Sequence, residues 1–119
     1  MKIVYIAGPY MGKTHDSYAY HEIERNIAAA REAAAALIRE GYGFFCPHLN
    51  SAHFEVITPE VEADFWRDMD MRFLEVADAM LLLEGWEHSQ GAKRERIAGL
   101  DSGIPVYYSV PELVADMEP

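Results

Sequence analysis

Apolar positions fall along the chain in two alternating patterns: short β-branched or aromatic runs, and longer segments with helical spacing. Lys2-Ile-Val-Tyr-Ile-Ala7 is a compact apolar run closed by Gly8-Pro9, which predicts a buried strand ended by a turn. From about Asp16 or Ser17, either able to cap, Ile23, Ile27, Ala30, Ala34, Leu37 and Ile38 follow helical spacing as far as Gly41. Tyr42-Gly-Phe-Phe-Cys46 predicts a second strand stopped by Pro47. Thr58-Pro59-Glu60 then carries the cap, first-turn proline and acidic first turn of a second helix, with Phe65, Met69, Phe73 and Val76 as its inward face. Ala79-Met-Leu-Leu-Leu83 is apolar throughout, as befits a central parallel strand buried on both faces. Ser89 opens a third helix ending near Gly103. Ile104-Pro-Val-Tyr-Tyr108 predicts a fourth strand with Pro105 at its start or on an edge, and Pro111 to Met117 a short final helix.

Alternation of strand and helix, with no internal repeat or linker, predicts a three-layer α/β fold of the flavodoxin-like (Rossmann-like) kind. The expected parallel sheet has four or five strands in the order 2-1-3-4(-5), within a single domain over residues 1–119. In such a sheet the ligand crevice lies beyond the carboxyl ends of strands one and three, where the winding reverses. Three segments converge there: Tyr5 to Tyr10, Cys46 to Asn50, and Glu84 to Glu95.

Composition narrows the class of ligand. The chain has 119 residues, half of them hydrophobic, which suits one core. Against 20 acidic residues stand 10 basic ones, a formal net charge of -10 that repels nucleic-acid polymers and anionic lipid. A small anion remains compatible with this field, because backbone amides and one or two cations suffice to hold a phosphate. A lone cysteine, Cys46, and a start that runs straight into a strand without a signal-peptide pattern point to a cytoplasmic protein, and no apolar stretch approaches a membrane span. Cys46, His48 and His53 lack a fourth member and a recognised zinc spacing, so no metal or other cofactor is expected.

The opening Tyr5-Ile-Ala-Gly8, then Asp70-Met-Arg-Phe-Leu-Glu-Val-Ala-Asp78, then Ser89-Gln-Gly-Ala-Lys-Arg-Glu95, taken in this order, resemble the nucleoside 2-deoxyribosyltransferases and the related 2'-deoxynucleoside 5'-phosphate N-hydrolases. The resemblance implies cleavage of an N-glycosidic bond with Glu95 as nucleophile, Asp70 and Tyr5 acting in the site, and Ser89 binding the 5' end of the substrate. It also implies a homodimer or higher homo-oligomer.

The residue types suit that chemistry independently. A departing base leaves positive charge on the sugar carbon, which a carboxylate on the opposite face can stabilise and then trap as an ester. Glu95, in the second turn of a helix, is expected to be kept ionised by the macrodipole, and Asp70 is the candidate proton donor to the base. Ser89 and Gly91 at the helix mouth, and Gly8, Pro9 and Tyr10 after the first strand, are expected to bind substrate. Gly8 avoids a side chain that would collide with it. His48 and Asn50 are expected to line the base or sugar pocket. Trp86 and His88 either stack on a base or fill their loop.

Two other readings stay open. Gly8-Pro-Tyr-Met-Gly-Lys-Thr14 follows a strand like a phosphate-binding loop but has three residues between its glycines where that loop needs four. A non-catalytic nucleotide sensor on the same fold is the other, since fold does not fix chemistry. Where the nucleotide hydrolases often carry an arginine after the first-strand glycine, this chain offers Lys13, a point charge of different geometry. Nucleoside versus nucleotide, and transfer versus hydrolysis, are not decided by the sequence.

Overall fold

The computed structural model describes residues 1–11 and 20–119. Its first strand, β1 (Ile3–Ala7), is the apolar opening run, with Val4 to Ala7 wholly buried. Helix α1 (Tyr20–Arg39) turns Ile23, Ile27, Ala30, Ala34 and Leu37 into the core, while Ile38, at the margin of that stripe, is 56% exposed. The expected cap at Asp16 or Ser17, and Gly12 to Thr14 of the phosphate-loop reading, lie outside the described residues. Gly41, at φ +94°, ends the helical segment in the left-handed region that glycine tolerates best.

Strand β2 (Gly43–Phe45) leads into two helices that the apolar pattern does not reveal, α2 (Pro47–Asn50) and α3 (Phe54–Ile57). Thr58 does not open the second long helix. Its amide and hydroxyl both donate to Phe54 O, at 2.7 and 2.9 Å, and so close α3. The long helix, α4 (Ala63–Leu74), starts after Glu62 with no side-chain cap. Its face also differs from expectation: Phe65, Phe73 and Val76 are exposed, and Leu74 and Met71 pack on the sheet instead, bringing Asp70 round to the inner side.

Strand β3 (Ala79–Leu82) is buried at all four positions, α5 (Gln90–Asp101) follows a 3-10 turn at Trp86–His88, and β4 (Val106–Tyr107) and α6 (Val110–Asp116) complete the order. Ser89 and Ser109 each cap the helix they precede, accepting from Ala92 N and Glu112 N at 3.2 Å. All pairings are parallel and the sheet runs β2-β1-β3-β4, with Tyr5 beside Phe45 on one side and Met80 on the other. Val4, Ile6 and Leu81 meet α1 and α6 on one face; Tyr5, Ala7, Met80 and Leu82 meet α4 and α5 on the other. Asp78 ties the two central strands together, taking Ile3 N on its carboxylate and giving its own amide to Ile3 O, both at 2.8 Å.

Gly8 marks the closest approach of these strands. A Cβ there would lie 2.8 Å from Leu83 Cβ, so packing against β3 excludes a side chain before any ligand is considered. Gly8→Ala is expected to destabilise the chain by about 1–3 kcal/mol, read as a lower urea midpoint at unchanged slope. An unchanged midpoint would show that Leu83 can move aside freely.

Candidate active site

Three ionisable groups meet between α4, α5 and β1. Tyr5 is fully buried in the centre of the sheet, and its hydroxyl donates to Glu95 Oε2. Glu95 can reach it because α5 lies close on the sheet through small residues: Ala92 is fully buried, and a Cβ on Gly99 would come within 3.0 Å of Met80 Cε. Asp70, in the second turn of α4, is near enough for its charge to bear on both Tyr5 and Glu95. Its Oδ1 is buried and has no hydrogen-bond partner among the described residues. An acceptor left in that state costs about 1–3 kcal/mol, and such groups concentrate where something else binds.

Burial dominates the electrostatics. It raises Glu95 from 4.5 to about 7, with the Asp70 charge adding to the rise and the Tyr5 hydrogen bond and Arg94 opposing it. This corrects the expectation of a macrodipole-stabilised anion, since burial and a neighbouring carboxylate outweigh what one helix terminus supplies. Asp70 rises by burial from 3.8 to about 6. Tyr5 is pushed far up by burial and by Glu95, so it remains a donor at every working pH. Cys46, pushed up to about 12 by burial, stays a thiol.

The other expected site residues fall into two groups. Ser89 and Gly91 open α5, the helix that carries Glu95, and a Cβ on Gly91 would meet nothing nearer than Ser89 Oγ at 4.0 Å. No packing contact calls for a glycine there. Gly8, Pro9 and Tyr10 lead out of β1. His48 is buried, lies 2.7 Å from Pro9 O through Nε2 and 3.5 Å from Cys46 Sγ through Nδ1, and is held neutral by burial. It therefore braces the loop after β1. Tyr10 has its hydroxyl engaged by Glu55 and by His53 N, and Asn50 is exposed at the end of α2. Lys13 lies outside the described residues.

Sequence reading missed several neighbours. Phe45 packs on Tyr5 at 5.6 Å and stacks on Phe73 at 4.0 Å, making an aromatic wall beside the carboxyls. Trp66, one turn before Asp70 on α4, meets Phe54 of α3 at 5.6 Å. Trp86 is occupied by Arg96, 5.0 Å above its ring, and by Tyr108, whose hydroxyl takes Arg96 Nε at 2.9 Å. A surface cavity of about 360 Å3 lies on the opposite face of the sheet between α1 and α6, and none of the three ionisable groups lines it. Another, of about 230 Å3, is bounded by Phe45, Cys46 and Asn50. Among the described residues no three His, Cys, Asp or Glu side chains are grouped to hold a metal ion, and no helix is long and apolar enough to cross a membrane.

The family described as a domain of unknown function, DUF1937, matches residues 2–110. The chain belongs to the DUF1937 family. No curated protein matches this DUF1937 chain in sequence. Among solved structures it is similar to a 2-deoxyribosyltransferase from Leishmania mexicana, at 18% identity and TM-score 0.62, over 92% of this chain and 65% of that one. It is also similar to the 2-deoxyribosyltransferase of Bacillus psychrosaccharolyticus, at 22% identity and TM-score 0.59, over 90% and 72% of the two chains. At these identities the likeness establishes a shared fold, and the chain spans less than two thirds of the length of the Leishmania enzyme.

Both carboxyls bind protons more tightly folded than unfolded, so their contribution to stability is present at pH 4 and is lost as pH rises towards 7. Glu95→Gln keeps an acceptor for Tyr5 and removes the buried charge. Its melting temperature at pH 8 is expected to exceed wild type by on the order of 5 °C, with the gain vanishing at pH 4. A gain independent of pH, or none at pH 8, would contradict the buried-carboxyl account.

Proposed function

We propose that this chain cleaves the N-glycosidic bond of a nucleoside or nucleoside 5'-monophosphate through a glycosyl ester on Glu95. The observation that carries the proposal is the Tyr5 hydroxyl bound to a part-buried Glu95, with the carboxyl of Asp70, whose buried Oδ1 has no partner among the described residues, beside it. The shared fold of the two deoxyribosyltransferases supports it.

In the first step a Glu95 oxygen bonds to C1' of the sugar as the bond from C1' to the base nitrogen breaks. The bonding pair leaves with the base, and Asp70 supplies the proton that neutralises it. Water, or a second base, then attacks C1' as the ester bond to Glu95 breaks, and the Asp70 carboxylate takes a proton from that nucleophile. Tyr5 donates to Glu95 throughout and orients the attacking oxygen.

Burial raises both carboxyls towards neutrality, and the Asp70 charge adds to the rise of Glu95, so near neutral pH the pair shares one proton. Bound substrate decides which of the two holds it. Positive charge growing at C1' favours the Glu95 anion, while a base nitrogen beside Asp70 favours its acid form. Ser89 Oγ and the first amides of α5 bind the 5' end, which is the proposed use of the open space at Gly91.

Base release from a panel of nucleosides and 5'-monophosphates, with and without an acceptor base, tests the proposal. For wild type, kcat/KM is expected to follow a bell centred between pH 6 and 7, where one proton is shared. Glu95→Gln is expected to lose about three orders of magnitude or more in kcat. Equal rates for the two proteins remove Glu95 from its role, and tight binding without turnover identifies a sensor instead.

A further inference from the structure

We infer that α3 is a movable cover over the crevice of Tyr5, Asp70 and Glu95, and that Tyr10 is the positioning residue that latches it shut. The inference rests on the proposed substrate binding in that crevice, and not on the chemistry done there.

Among the described residues, contacts on both sides tie α3 across the crevice. On the β1 side the Tyr10 hydroxyl donates to Glu55, at 2.9 Å to Oε1 and 3.1 Å to Oε2, and accepts from His53 N at 2.7 Å. His53 Nε2 meets Glu24 Oε1 of α1 at 2.6 Å. On the α4 side Phe54 packs edge-on against Trp66, one turn before Asp70. A four-residue helix is too short to hold itself together, so these contacts are what keep it in place.

The latch has a firm seat and a strained hinge. Pro9 O is held by His48 Nε2, Tyr10 O accepts from Asn26 Nδ2 at 3.0 Å, and the Tyr10 ring meets His48 edge-on at 5.3 Å. Burial pushes the Tyr10 phenol up to about 12, so it remains a donor. His53, where α3 begins, is the one non-glycine with positive φ among the described residues, at +65°. A bulky residue gains by leaving that region, so strain at the hinge opposes the latch and lowers the cost of opening. Val56, Ile57 and the outer edge of Phe54 are exposed, so lifting α3 costs little buried surface on that side.

Hydrogen exchange on the free protein tests the latch. In Tyr10→Phe the amides of His53, Val56 and Ile57 are expected to exchange about tenfold faster or more, with β1 and β3 unchanged. Glu55→Ala, which leaves the loop after β1 intact, should do the same. Unchanged exchange in both variants overturns the latch. Base release tests the cover: Glu55→Ala, at a residue placed in neither binding nor chemistry, is expected to raise KM about tenfold with kcat within about twofold of wild type. A fall in kcat at unchanged KM would instead place the Tyr10–Glu55 contact in the chemistry and overturn the cover. If wild type releases no base at all, the proposed reaction fails, and exchange slowed at these three amides by added deoxynucleoside, or its absence, decides the cover.

Discussion

A fully buried phenol hydroxyl at the centre of the sheet must find an acceptor, and Tyr5 finds Glu95. That contact joins α5 to the centre of the sheet. Small residues on the helix underside, Ala92 and Gly99, allow the approach, and Ser89 sets where the helix begins. The same contact draws a carboxyl out of water, and the pull of burial on its proton follows directly. Fold and electrostatics thus share one origin.

A part-buried carboxyl beside a second one with an unpartnered buried oxygen is a poor way to stabilise a small domain. Each anion gives up hydration, and the two repel each other. Arrangements that cost stability in this manner recur where a reaction needs groups that exchange a proton near neutrality. The proposed glycosidic chemistry has that requirement, one carboxylate to meet positive charge and one acid to meet the base. Phe45, packed on Tyr5 and stacked on Phe73, adds apolar surface beside the Tyr5 ring.

Most of the fold is legible in the sequence because its long elements are strongly patterned. β1 and β3 are short runs without charge, α1 has five core positions at helical spacing, and Ser89 is a true cap. The stretch from Pro47 to Glu62 is opaque for an equally physical reason. Its two helices are four residues each, too short for periodicity, and Thr58-Pro59 has the chemistry of a helix start while Thr58 in fact closes α3. Helix α4 misleads because its inward face carries an aspartate, and an apolar pattern cannot point to a face chosen for a buried acid. Within the site, Glu95, Tyr5 and Asp70 are picked out by the resemblance to the deoxyribosyltransferases, and they do come together. That His48 braces Pro9 and that Tyr10 is tied to α3 depends on contacts between distant segments, which no local pattern encodes.

The central claim is that a Glu95 oxygen bonds to the sugar during turnover. Mixing the protein with a cleaved deoxynucleoside, quenching in acid within one turnover and mapping the peptides by mass spectrometry reads this directly. The account predicts one added deoxyribosyl mass on the peptide containing Glu95, absent from the Gln variant. Base release with no adduct on that peptide, or with the sugar mass on another residue, would contradict it.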